Sequence, residues 1–152
     1  MKAIKISNVA WLPQIGEHIQ SFCNKIDVDG IHAPNLYAFF ANTIQFGRDV
    51  SEFWVSFDED NKPKALAHWT ISPPPHIGTV YMGFLHSWSK DKQAARILLD
   101  EYLKFGEKHN AVWYTYNPIS PAHLRYLTSV LKKKGYTVKD TGIFNIVSRR
   151  VA

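Results

Sequence analysis

The sequence predicts a single α/β domain, and three observations carry that reading. Apolar residues switch several times between a spacing of about 3.6 and a spacing of two, the marks of helix and strand. The stretch Gly83–Asp100, GFLHSWSKDKQAARILLD, reads as a strand end, a polar basic loop and an amphipathic helix. No repeat, low-complexity tract or linker interrupts the 152 residues, a length that buries a substantial core.

Taken in order, Ala3–Ser7 read as a short opening strand. A helix over Leu12–Lys25 follows, with Ile15, Ile19, Phe22 and Ile26 spaced for one buried face. Asp27-Val-Asp-Gly30 is a turn, which lacks the acidic ligands and terminal Glu of a calcium loop. The second helix runs from Pro34 to Phe46. Pro34 suits a first helical position, Gly47 suits a C-terminal cap, and Leu36, Phe39, Phe40 and Ile44 form the core face. The period then falls to two. Phe53–Phe57 is a strand, Asp58–Lys62 a polar hairpin turn and Ala65–Ile71 the return strand. Ser72-Pro-Pro-Pro75 stops pairing, because proline donates no ladder hydrogen bond.

Thr79–Leu85 is the next strand. Asp91–Lys108 is the strongest helix, with Ala94, Leu98, Tyr102 and Phe105 on one face and Arg96, Asp100, Lys104 and Lys108 on the wet side. Ala111–Tyr116 is a strand. Ser120 caps and Pro121 opens a helix whose stripe is Leu124, Leu127, Val130 and Leu131. Lys132–Lys134 sit in its last turn, where the dipole favours cations, and Gly135 ends it. Tyr136–Lys139 and Ile143–Ser148 close as a hairpin through Thr141-Gly142. The order is β-α-α-β-β-β-α-β-α-β-β.

The apolar fraction of 45%, with five Trp, seven Tyr and nine Phe, belongs to a globular chain and excludes a disordered one. The net charge of +5 suits a phosphate-bearing ligand or nucleic acid, and equally suits charge that only solubilises. Cys23 is the sole cysteine, so an internal disulfide and thiolate metal cages are excluded. No apolar run reaches the roughly 20 residues that span a bilayer, and the N-terminus lacks a signal-peptide core. The expectation is a cytoplasmic protein with no membrane partner.

The loop before the third helix is an anion site in outline. The first amides of a helix lack intrahelical partners and the macrodipole favours negative charge there. Lys90, Lys92 and Arg96 add cations at the same place. The seven histidines show no H-x-x-x-H spacing, so no metal is expected, and neither a G-x-S-x-G nor a P-loop occurs.

This order and this loop resemble the GNAT acyltransferase superfamily. Its members carry a strand, a loop of pattern Arg/Gln-x-x-Gly-x-Gly/Ala and a helix; here Lys90, Gln93 and Ala95 stand at the three marked positions. His86 falls where a His often precedes the loop. Asn117 follows the strand 112–116, and Gly135-Tyr136 follows the next helix, as the family often shows. The resemblance implies a mixed, mostly antiparallel twisted sheet of about seven strands with four helices. It implies that strands 79–85 and 111–116 run parallel and splay apart around acyl-coenzyme A. The backbone of Phe84, Leu85 and His86 would then pair with pantetheine. The amides of Lys90, Asp91, Lys92, Gln93, Ala94 and Ala95 would hold the pyrophosphate, with Asn117 nearby.

The loop departs from the pattern in two ways: Gln93 replaces a glycine, and Asp91 brings negative charge to an anion site. The family's tyrosine acid four residues before the glycine is absent, since Leu131 stands there; Tyr126 is the nearest substitute. His86 is either a base beside the thioester or a histidine packed at a strand end. Tyr126 is either the acid for the leaving thiolate or an aromatic on a helix flank. His68 and Trp69 point to opposite faces of their strand, Tyr114 and Tyr116 to one core face, and His123 and Arg125 to a wet helix face.

Three functions follow in order. The first is an acetyl-coenzyme A dependent N-acetyltransferase acting on an amine of a small molecule or protein, with a homodimer compatible with the chain. The second is a GNAT-like binding or assembly module that has lost the chemistry, as degenerate members in phages have. The third is a nonspecific nucleic-acid binder using Lys132–Lys134, Arg149 and Arg150, which no readout motif supports.

Overall fold

The computed structural model describes residues 1–26, 33–47, 50–72, 80–83, 91–116, 121–140 and 146–150. Its elements are β1 (Lys2–Lys5), a 3-10 segment (Val9–Ile15), α1 (Gly16–Ile26), α2 (Ala33–Phe46), β2 (Ser51–Phe57), β3 (Pro63–Ser72) and β4 (Val80–Gly83). These are followed by α3 (Lys92–Lys108), β5 (Ala111–Tyr116), α4 (Pro121–Lys133), β6 (Tyr136–Asp140) and β7 (Ile146–Arg150). The chain divides into two compact units. The first comprises Met1–Trp69 and His86–Glu101, and the second Thr70–Leu85 and Tyr102–Ala152. Several expectations lie outside the described residues: the turn 27–30, the proline run 73–75, the turn 141–142, and the flanks of β4 at Thr79, Phe84 and Leu85.

In the first unit the hydrogen-bonded order is β1-β2-β3. β1 is antiparallel to β2, with Lys5 opposite Trp54. The opening strand ends at Lys5 rather than Ser7 because a 3-10 segment begins early. The Asn8 side chain accepts from the Ala10 amide at 2.9 Å and caps that segment. Pro13 lies within it, its carbonyl accepts from the Gly16 amide, and the α-helix begins at Gly16, not Leu12. The Tyr37 hydroxyl of α2 donates to the Leu12 carbonyl and ties the segment down. Gly47 is not a left-handed cap. Its amide donates to the Thr43 carbonyl, and an added Cβ would lie 2.4 Å from that same oxygen.

β2 and β3 depart from simple alternation. Glu52, Phe53, Val55, Ser56 and Phe57 are buried, and so is every residue from Ala65 to Trp69. A strand covered on both faces loses its polar face. On one face Phe40 of α2 stacks on Phe53 with ring centroids 4.3 Å apart. On the other Trp54 stacks on Trp69 at 5.7 Å. Ile15, Ile19 and Phe40 are wholly buried as their spacing predicts, but Phe39, expected in the core face, is 47% exposed. The hairpin between β2 and β3 is held by Asp58, whose Oδ1 accepts from the amides of Asp60 and Lys62. Those backbone donors, Lys62 foremost, hold its carboxyl below the usual range.

In the second unit the order is β3-β4-β5-β7-β6. The end of β3 pairs antiparallel with β4, Ile71 facing Met82. β4 then pairs with β5 in parallel, the direction the resemblance implies, with Tyr81 opposite Trp113 and an irregularity between Val80 and Tyr81. β5–β7 and β6–β7 are antiparallel. The core here is aromatic. Tyr102 lies edge-on to Tyr114 and Tyr116 at 5.6 and 5.4 Å, and its hydroxyl donates to the Thr115 carbonyl at 2.9 Å. Gly135 ends α4 in the left-handed region, at φ +85, which a Cβ would disfavour.

Candidate functional site

The N-terminus of α3 is where the sequence places an anion, and an anion is already there. Asp91 is its cap. Asp91 Oδ1 accepts from the amides of Gln93 at 2.9 Å and Ala94 at 3.2 Å, while its carbonyl accepts from Ala95 N at 3.2 Å. Aspartate is a preferred cap for this reason: its carboxylate satisfies orphan amides and meets the positive end of the dipole. The signal was available in the sequence, where Asp directly precedes an apolar-periodic run. By periodicity alone Asp91 reads as a first helical residue that opposes an anion. Lys92 and Gln93 are exposed, Ala94 is buried and Ala95 half-buried.

The remaining predicted positions divide in two. Phe84, Leu85, His86, Lys90 and Asn117 lie outside the described residues. Tyr126 lies on α4 in the second unit, half-buried and next to the buried Leu127. Tyr114 and Tyr116 are core, as their shared face suggests; the Tyr114 hydroxyl donates to the Leu103 carbonyl at 3.2 Å. His123 is a correction. It is half-buried rather than on a wet face, and burial lowers its pKa; Arg125 is exposed.

One polar cluster went unnoticed in the sequence. His68 is 3% exposed, with Phe39 edge-on at 4.7 Å. Its Nε2 lies 3.3 Å from Thr43 Oγ1 and 3.4 Å from Ser51 Oγ. Its Nδ1 is buried without a hydrogen-bond partner among the described residues. Desolvation pushes its pKa down to about 4, so the imidazole is neutral near pH 7. On the opposite face of β2, Glu52 is 8% exposed. Its Oε1 accepts from Lys5 Nζ and its Oε2 from Trp54 Nε1, both at 2.8 Å. Thr43 comes from α2 and Ser51 from β2, and no spacing in the sequence links them to His68. No helix among the described residues is long and apolar enough to cross a membrane.

No family model and no curated protein matches the sequence. Solved structures match the fold. A probable acetyltransferase shares it at a TM-score of 0.70 and 11% identity, over 94% of each chain. A GNAT-family acetyltransferase from Staphylococcus aureus Mu50 shares it at 0.63 and 12% identity, over 98% of this chain and 97% of that one. A predicted acetyltransferase with acetyl-CoA from Clostridium acetobutylicum shares it at 0.62 and 16% identity, over 93% of each. The chain is therefore an α/β protein with the fold of the GNAT acetyltransferases.

Proposed function

We propose that this chain is an acyl-coenzyme A dependent N-acyltransferase, moving an acetyl group from acetyl-coenzyme A to an amine of a small molecule or protein. The observation behind this reading is the extent of the likeness. The fold is shared along at least 93% of both chains with acetyltransferases, one of them described with acetyl-CoA. The β4–β5 pair runs parallel, the direction the resemblance gives the two strands that hold the donor.

In this reading the backbone of Phe84, Leu85 and His86 pairs with pantetheine. The amides from Lys90 to Ala95 face the diphosphate, with Asn117 beside the donor. The amine attacks the thioester carbonyl, a C–N bond forms, the C–S bond breaks and the thiolate takes a proton. His86 serves as the base that frees the amine, and Tyr126 as the acid for the thiolate. Diphosphate fits the helix start on one condition. Asp91 Oδ1 already holds the amides of Gln93 and Ala94, so a phosphate oxygen takes that position only as the carboxylate leaves it.

That same contact favours a second reading, a binding module that has filled its donor site with its own side chain. Titration calorimetry with acetyl-coenzyme A separates the two, run on the native chain and on Asp91→Ser. Saturable binding, together with acetyl transfer to a panel of amines, supports the acyltransferase. Absence of binding in both proteins leaves the module.

A further inference from the structure

His68 on β3 is enclosed chiefly by α2. Its Nε2 lies 3.3 Å from Thr43 Oγ1, and the rings of Phe39 and Phe40 stand 4.7 and 6.1 Å away. These three residues occupy one turn of the helix. Ser51 Oγ of β2, at 3.4 Å, completes the polar contacts of the ring among the described residues. The two ends of α2 are held unequally. Toward its start, Tyr37 donates to the Leu12 carbonyl, and the wholly buried Phe40 stacks on Phe53. In the last turn Ile44 is half-buried and Gln45 and Phe46 are exposed, so Thr43 is its buried anchor. Phe39, the other cover of the imidazole, is itself exposed.

This enclosure suits only the neutral ring. An imidazolium carries a donor on each nitrogen, and Nδ1 is buried with no acceptor among the described residues. No counter-charge there meets it either. α2 contains no acidic, basic or histidine residue. On β2, Glu52 points to the opposite face, where Lys5 and Trp54 hold it. On β3, Lys64 lies four residues back along the strand and pairs with Asp58. Cys23 of α1, in the same core as Phe40, is a thiol that burial keeps protonated. A buried charge with no partner is costly, and the cheapest relief is to wet it by opening the least secured cover. Thr43 and Ser51 also line a pocket of about 260 Å³, which gives water a route once Thr43 moves. We propose that the last turn of α2 is an acid-released latch: protonation of His68 frees Thr43–Phe46 from the sheet while the start of α2 stays docked. The proposal holds whether or not the chain transfers an acyl group.

Residue-resolved amide hydrogen exchange, corrected for the intrinsic effect of pH, tests it on the native chain at pH 7.5 and pH 5. The closed ring titrates at about 4 and an open one at about 6.5, so the open fraction should rise roughly thirtyfold between those conditions. Protection of the Ile44, Gln45 and Phe46 amides should fall by that factor. It should also stay well below the protection of Leu127 and Leu131, buried on α4, because the release is local. His68→Gln keeps a hydrogen-bonding side chain that does not titrate, and its last-turn protection should change less than twofold. Thermal melting confirms that the variant folds; should it fail, His68→Leu is read instead, and the native comparison stands by itself. Three results would each overturn the proposal. They are constant protection of the last turn in the native chain, last-turn amides as protected as Leu127 and Leu131 at pH 5, and the native fall persisting in the variant read.

Discussion

Replacing Asp91 by serine tests what occupies the start of α3. Serine keeps a capping oxygen for the Gln93 and Ala94 amides, so the helix should lose only the roughly 0.3–1 kcal/mol that the charge contributes. What it removes is one negative charge at a half-exposed helix terminus. Charges at such positions interact with the terminus by about 0.3–1 kcal/mol, so freeing the position for a diphosphate should tighten coenzyme A by roughly two- to fivefold. The gain should shrink in 1 M salt, where the Debye length is about 3 Å. Calorimetric titration of both proteins at low and high salt measures it. Asp91→Ala adds a second arm. It removes the cap and should cost about 0.5–2 kcal/mol of stability while still tightening coenzyme A. Native-like or weaker coenzyme A affinity in Asp91→Ser would refute the claim that the carboxylate and the diphosphate compete for the same amides.

Three further outcomes follow. Burial holds the folded pKa of His68 at about 4, against about 6.5 for a free histidine, so the unfolded chain binds the extra proton between those limits. Stability should be fully present above pH 6.5 and fall toward pH 4, by up to about 1.4 kcal/mol per pH unit. Urea unfolding of His68→Leu should show a flatter acid limb, and an unchanged limb would count against the buried neutral imidazole. Gly106→Ala should destabilise α3 although alanine is normally the better helix former, because the added Cβ would stand 2.2 Å from the Tyr114 ring. The cost should be about 1–3 kcal/mol, read by chemical denaturation, and a stabilised variant would contradict that packing. Gly135→Ala should cost roughly 1 kcal/mol for its positive φ alone, since nothing lies within 4 Å of the added Cβ. Gly135→Asn should lose less, and equal losses would remove the conformational explanation.

Local rules account for what was legible in the chain. The periodicities of 92–108, 111–116 and 121–133 place α3, β5 and α4 to within a residue or two, because a packed face repeats at the period of its own backbone. Boundaries moved where a local competitor went unread: a 3-10 segment capped by Asn8 precedes the first α-helix, and Asp91 became a cap instead of a first helical residue. Phe39 left the core: it is 47% exposed, with its ring edge-on to His68.

Sequence alone therefore determined the order of elements and the fold class they imply. Each of these depends on neighbours within a few residues along the chain. Tertiary structure decided which groups share a dielectric. It placed His68 against hydroxyls 25 and 17 residues away, and Glu52 against a lysine 47 residues away. Hydrogen bonding and desolvation act through a few ångströms of space, and only folding makes distant residues near.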